Sequence, residues 1–225
     1  MEEYDIRLKT PFTYIASGAS MSGKTTHVFN IIKYRHLLFD VVPSNIIYYY
    51  NQWQNGFTEY QNQGIVTEWI NKLPNGEELQ DKTIAHKDSG GSIVVIDDFI
   101  QEIGKEIADL FTILCHANNI NVFLLTQNIF ANNPYFRIIS LNATYISVFK
   151  NPRDSSQISH FAKQFAPHNP KFIVDAFKEC TMKAHSYMLF DSHQSSDDEI
   201  RVRSNILPHE GQPRAWIPNA KRRRI

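Results

Sequence analysis

Eight residues, Gly18-Ala19-Ser20-Met21-Ser22-Gly23-Lys24-Thr25, keep the spacing G-x-x-x-x-G-K-S/T. In that pattern backbone N–H groups converge on phosphate oxygens, and the two glycines admit backbone conformations that a Cβ would block. Lys24 would reach the β- and γ-phosphates of ATP as a point charge, and the Thr25 hydroxyl would hold Mg²⁺. Contacts to the nucleotide would run from Gly18 through Ala19, Ser20, Met21, Ser22 and Gly23 to Thr26. Far along the chain, the apolar run Ile93-Val94-Val95-Ile96 ends in Asp97-Asp98. Asp97 is placed to share the Mg²⁺. Asp98 would orient or deprotonate an attacking water, or else cap the helix that follows. The run Val122-Phe123-Leu124-Leu125 ends in Thr126-Gln127. Gln127 would touch the γ-phosphate, or simply mark the passage from strand to loop. Arg137 and Arg153 are candidates for the cation that neutralises charge in phosphoryl transfer, commonly lent by a neighbouring subunit; ordinary surface arginines are the alternative.

Such groups need a scaffold that brings strand ends together. Phe12–Ser17 reads as a buried strand before the glycine loop, and a helix follows from Thr25 to about Phe39, with Val28, Ile31, Ile32 and Arg35 at helical spacing. Further strands are predicted at Ile46–Tyr50, Ile93–Ile96, Val122–Gln127, Ala143–Phe149 and Tyr187–Asp191, with a short strand or turn at Val66–Ile70. Helices are predicted over Ile103–Ala117, with Ile107, Leu110, Phe111 and Leu114 on one face, and over Pro134–Ser140, Ser155–Phe165 and Lys171–Cys180. Residues 51–64 read as an irregular connection with short helical pieces, and residues 77–92 as a polar stretch ending in a loop. Short β pieces are expected at Ile200–Arg203 and Ala215–Ile217. Strands alternating with helices predict an α/β fold, a mostly parallel sheet with helices on both faces. Ligands then bind at the carboxyl ends of the strands, where the loop, Asp97-Asp98 and Thr126-Gln127 all fall. The organisation expected is a lead-in over 1–11, a core over 12–191, and a C-terminal extension over 192–225 with a basic tail.

The chain has 225 residues, 42% of them hydrophobic and 20% charged, as a globular protein requires. Its 23 basic residues balance 23 acidic ones, so no global field draws it to nucleic acid. No run is long and apolar enough to cross a membrane, and the acidic start is not that of a signal peptide. Cys115 and Cys180 lack metal-type spacing and are expected as reduced, buried or half-buried thiols.

Other features have two readings each. Lys221-Arg222-Arg223-Arg224 would contact DNA phosphates, act as a nuclear import signal, or be a solvated tail. Arg201 and Arg203 alternate, so on a strand both would face one side, lining a DNA path or pairing with Asp197, Asp198 and Glu199. The aromatics Tyr48, Tyr49, Tyr50, Trp53, Phe57 and Tyr60 can stack on bases, but packing against the sheet is the better account. His27 reads as a helix-surface residue.

Taken in order, these segments resemble the genome-packaging ATPases of large DNA viruses, of the poxvirus and adintovirus type, and of polinton-like elements, in the FtsK–HerA superfamily of P-loop proteins. The resemblance rests on Gly18–Thr25, Ile93–Asp98, Phe123–Gln127, the segment holding Arg137, Ser147–Asp154, Leu189–Asp191 and Glu199–Ile206. It implies a RecA-like P-loop NTPase: a Mg²⁺-dependent ATPase that works as a homo-oligomeric ring and drives double-stranded DNA into a capsid during virion assembly. It also implies capsid or portal-like partners, a trans-acting Arg137, and a place in the host nucleus or cytoplasm, or with the virion. Asp98 stands where the superfamily more usually has Glu. A P-loop kinase of a small acceptor and a nucleotide-dependent DNA-binding switch or loader are the rival readings.

Overall fold

The computed structural model describes residues 4–99, 101–130, 133–154 and 156–218; the basic run Lys221–Arg224 lies outside them. Continuous apolar runs produce the sheet. β1 (Thr13–Ser17), β2 (Asn45–Tyr50), β4 (Ser92–Asp97), β5 (Ile120–Thr126), β6 (Tyr145–Phe149) and β7 (Tyr187–Asp191) are buried almost throughout. Short strands β3 (Glu68–Ile70), β8 (Val202–Ser204) and β9 (Arg214–Ala215) extend the sheet at its two ends. The order is β3-β2-β4-β5-β1-β6-β7-β8-β9. The members from β3 to β6 run parallel, and β7, β8 and β9 are antiparallel additions.

Strand side chains alternate between two cores, as the two-residue period demands. Tyr14, Ala16, Tyr48, Val95, Phe123 and Tyr145 face one side. There they meet α1 (Lys24–Lys33), α2 (Arg35–Leu38) and α3 (Phe57–Asn62). Ile15, Ile47, Val94, Leu124, Ile146 and Phe190 face the other. That side carries α4 (Gly76–Ile84), α5 (Lys105–Asp109), α6 (Cys115–Ala117), α7 (Pro134–Leu141), α8 (Ser156–Phe165) and α9 (Pro170–Cys180). A π-helical turn over Leu110–Leu114 joins α5 to α6. The expected architecture of a mostly parallel sheet covered by helices on both faces is therefore what the chain forms.

Three local expectations change. The polar stretch after residue 76 is helical: Asn75 accepts from the backbone N–H groups of Glu77 and Glu78, and both acids sit in the first turn, where the helix dipole favours them. The first helix breaks at Tyr34 and resumes as α2 instead of running on to Phe39. Arg201 and Arg203 do not share a strand face. Arg201 lies in the turn before β8 and pairs with Asp198 at 2.6 Å, whereas Arg203 is only 2% exposed and pairs with Asp191 at 2.6 Å. Burial removes Arg203 from any DNA path. The aromatic run packs as expected: Tyr48, Tyr49 and Phe57 are fully buried, and the Phe29 ring stacks between Tyr48 and Tyr60. Cys115 is buried and Cys180 half-buried, both as free thiols.

Candidate nucleotide site

β1 delivers the glycine loop to the carboxyl edge of the sheet. The Gly18 N–H donates to the Thr126 carbonyl at 3.1 Å, which ties the loop to the end of β5. A Cβ at Gly18 would lie 2.6 Å from the Phe149 Cβ and 2.8 Å from the Ser22 Oγ, so only glycine fits there. Gly23 holds φ at +99° as it turns the chain into α1. The first turn of α1 thus opens onto the loop with its backbone N–H groups free for an anion.

Lys24 lies over the loop, its Nζ donating to the carbonyls of Gly18 at 2.7 Å and Ala19 at 3.0 Å. Burial lowers its pKa, against the pull of Asp97 and Asp98. Thr25 Oγ1 comes to 3.5 Å from Asp97 Oδ2. Asp97 is 4% exposed at the end of β4 and accepts from the Tyr48 hydroxyl at 2.7 Å. Desolvation, with some help from Asp98, pushes its pKa up to about 6, although the Tyr48 hydrogen bond and Lys24 oppose that shift. A divalent cation bridging Thr25 and Asp97 would remove the penalty by neutralising the buried carboxylate.

Asp98 stands exposed with φ at +65°, a left-handed conformation that costs a non-glycine residue about 1–2 kcal/mol. Asn51 Nδ2 donates to its carbonyl at 3.2 Å. The next helix starts at Lys105 with Gly104 at its N-cap, so the capping role is ruled out. Asp98 Oδ1 instead lies 3.5 Å from Gln127 Nε2, and both side chains are exposed at the sheet edge. The loop, Thr25, Asp97, Asp98 and Gln127 are therefore one constellation. Arg137 is not part of it: it is exposed on α7, one turn in from the Asn133 cap, and Arg153 is likewise exposed in the turn after β6.

Two site neighbours escaped the sequence. Tyr48 packs against the sheet as expected, and its hydroxyl also holds Asp97. His27 is no surface residue: it is 3% exposed, and its Nε2 lies 2.9 Å from the Tyr14 hydroxyl and 3.3 Å from Ser147 Oγ. The stripe His27, Val28, Ile31 on α1 carried that signal, since its members turn together toward the sheet. Burial lowers the His27 pKa from 6.5 to about 3, so the folded protein keeps the ring neutral while the unfolded chain protonates it below about 6.5. The His27 contribution should accordingly fall as pH drops from 6.5 toward 3, by about 2 kcal/mol between pH 7 and pH 5, while the raised pKa of Asp97 works in the opposite direction over the same window, so the His27 part is read as the difference between wild type and the variant. Urea unfolding at the two pH values measures this, and His27→Gln should flatten the slope by one proton.

No protein-family model and no curated protein sequence matches the chain. Solved structures do. The genome packaging NTPase B204 from Sulfolobus turreted icosahedral virus 2, in complex with ATP-gammaS, superposes with a TM-score of 0.52 at 15% identity, covering 92% of this chain and 97% of that one. The chain folds as a P-loop NTPase. The cytoplasmic domain of the Type VII secretion ATPase EccC from Thermomonospora curvata gives a TM-score of 0.47 at 9% identity over 82% of this chain and 23% of its own.

Proposed function

We propose that this chain is a Mg²⁺-dependent ATPase whose hydrolysis drives double-stranded DNA into a capsid during virion assembly. The observation that carries the reading is the approach of Thr25 Oγ1, on the first turn of α1, to within 3.5 Å of Asp97 Oδ2 at the end of β4, beside the glycine loop. A hydroxyl and a carboxylate at that spacing, next to a phosphate cradle, are the oxygen donors that would hold a divalent cation there. Lys24 would hold the β- and γ-phosphates, Thr25 and Asp97 the Mg²⁺, Asp98 the attacking water, and Gln127 the γ-phosphate. Mg²⁺ would supply charge neutralisation at the transferred phosphoryl group. Fold likeness to a packaging NTPase supports the DNA and capsid parts of the reading.

The reacting end of the site brings together Asp97, Asp98, Asn51 and Gln127, with Lys24 beside them. Arg137 is exposed on α7 in company with Tyr135, Ile138 and Leu141, which are 37%, 43% and 71% exposed. A surface of that kind suits a neighbouring copy, and Arg137 would complete that copy's site in a homo-oligomeric ring. The test is ATP hydrolysis with and without double-stranded DNA, alongside the mass of the assembled species. DNA should stimulate hydrolysis. Adding Arg137→Ala subunits to wild-type assemblies should depress activity out of proportion to their fraction. Absence of DNA-stimulated hydrolysis in every oligomeric state would overturn the motor, and linear loss on mixing would point to an independent switch.

A further inference from the structure

A phosphate loop accounts for half of a nucleotide, and the other half must leave the loop in one direction. Two larger cavities adjoin it, besides one of about 260 Å³ at Ala19–Ser22 that Lys150 and Lys183 also line and that falls below the usual small-molecule range. One of about 600 Å³ lies between the end of β6 and α8–α9; it meets the loop only at Gly18, from behind. The other, of about 570 Å³, is lined by every residue from Met21 to His27 and continues along α1 to Asn30. Its far wall comes from the segment after β8, where Leu207, His209 and Glu210 stand beside His185 and Tyr187. Both volumes suit a small-molecule site. The second opens on the side where the loop's N–H groups and the N-terminus of α1 point.

Two polar groups in this wall are each held through one atom and leave a second atom without a side-chain or backbone partner. His27 Nδ1 has no hydrogen-bond partner, although the ring is 3% exposed and its Nε2 is occupied by Tyr14 and Ser147. A buried polar atom of this kind asks for an external partner. A ribose hydroxyl donates and accepts, so it satisfies either tautomer of the neutral ring. Glu210 is fixed through one oxygen: Oε2 accepts from the Tyr187 hydroxyl at 2.7 Å and from the Leu207 N–H at 3.1 Å. Its Oε1 is left as an acceptor on the cavity wall, and the His27 ring lies 4.0 Å from the Tyr187 ring that holds this carboxylate.

We propose that this cavity seats the nucleoside half of the bound nucleotide, with His27 toward the ribose and Glu210 accepting from an exocyclic amino group of the base. The proposal rests on the phosphate-loop reading of Gly18–Thr25. It makes the segment Leu207–Glu210 a wall of the nucleotide site and gives the site a preference among bases. Hypoxanthine differs from adenine by lacking that amino group, and a donor-for-acceptor mismatch at a fixed carboxylate is strongly disfavoured.

The test is equilibrium binding of ATP, ITP and inorganic tripolyphosphate, each with Mg²⁺, to the full chain. Wild type should prefer ATP to ITP by about tenfold. Glu210→Ala should bring the two within about twofold while tripolyphosphate binding stays unchanged. Asn30→Ala, on a half-buried position of α1 that improves helix propensity, should weaken ATP and ITP and spare tripolyphosphate. An ATP preference that survives Glu210→Ala, or loss of tripolyphosphate binding together with ATP in Asn30→Ala, would overturn the assignment. If wild type binds neither ATP nor tripolyphosphate, the phosphate-loop reading itself fails.

Discussion

Replacing Lys24 by alanine should cut ATP hydrolysis by about 10²–10³-fold, the usual loss when one charge-stabilising donor is taken from a preorganised site. The argument lies in where the side chain is held. Its Nζ is anchored by the Gly18 and Ala19 carbonyls, so the ammonium is kept at the mouth of the loop at no cost in search. Partial burial raises the strength of any interaction it makes with a phosphate. Lys24→Arg should not restore the rate, because a planar fork cannot take the place of a point charge packed against two carbonyls. Initial rates of phosphate release, with circular dichroism to confirm folding, measure both variants. Hydrolysis within about threefold of wild type in Lys24→Ala would remove the loop from the chemistry.

The second large effect is structural. Arg203 and Asp191, each 2% exposed in the side chain, face one another at 2.6 Å across β7 and β8. Arg203 Nη1 also donates to the Ile6 carbonyl at 2.6 Å, which fastens the lead-in to the far end of the sheet. Asp191 in turn accepts from the His193 N–H at 2.9 Å and the Ser196 hydroxyl at 2.8 Å. Removing one partner strands a charge in the interior, so Arg203→Met should cost about 3–5 kcal/mol. Adding Asp191→Asn to that variant should recover part of the loss, since the uncompensated carboxylate disappears. Urea midpoints for the two single variants and the double variant give the coupling. A loss below about 1 kcal/mol in Arg203→Met would show that the pair does not hold the sheet end.

The sheet was legible because its strands are continuous apolar runs, and Ile93–Ile96 could hardly be anything but a strand covered on both faces. The core of the site was legible for related reasons: Asp97 and Gln127 each break the end of such a run with a polar side chain, and Lys24 closes the glycine loop that follows β1. What the one-dimensional pattern lacks is strand order. Nothing local reveals that β5 enters between β1 and β4, or that Tyr48 comes beneath Asp97. The Arg203–Asp191 pair and the Tyr187–Glu210 bond join positions whose partners are set by pairing of the last strands. His27 misled because histidine near a helix start usually faces water, whereas here Tyr14 and Ser147 offer it partners. The helix α4 was missed because only Leu79 and Thr83 of its residues are buried, too few to give a periodic stripe.

The insertion of β5 has a mechanical side. The phosphate loop and Asp97 hang from strands two places apart, about 10 Å across the sheet. α1 reaches over that interval to bring Thr25 beside Asp97, with Gln127 between them. Two ladders of parallel hydrogen bonds hold the interval, so the sheet acts as a ruler of fixed length. In the proposed motor, movement would start in the segments that leave the strand ends, the one after Asp98 and the one after Gln127. These lead into α5 and α7, which pack against each other, so the two ends of the ruler push on a single pair of helices.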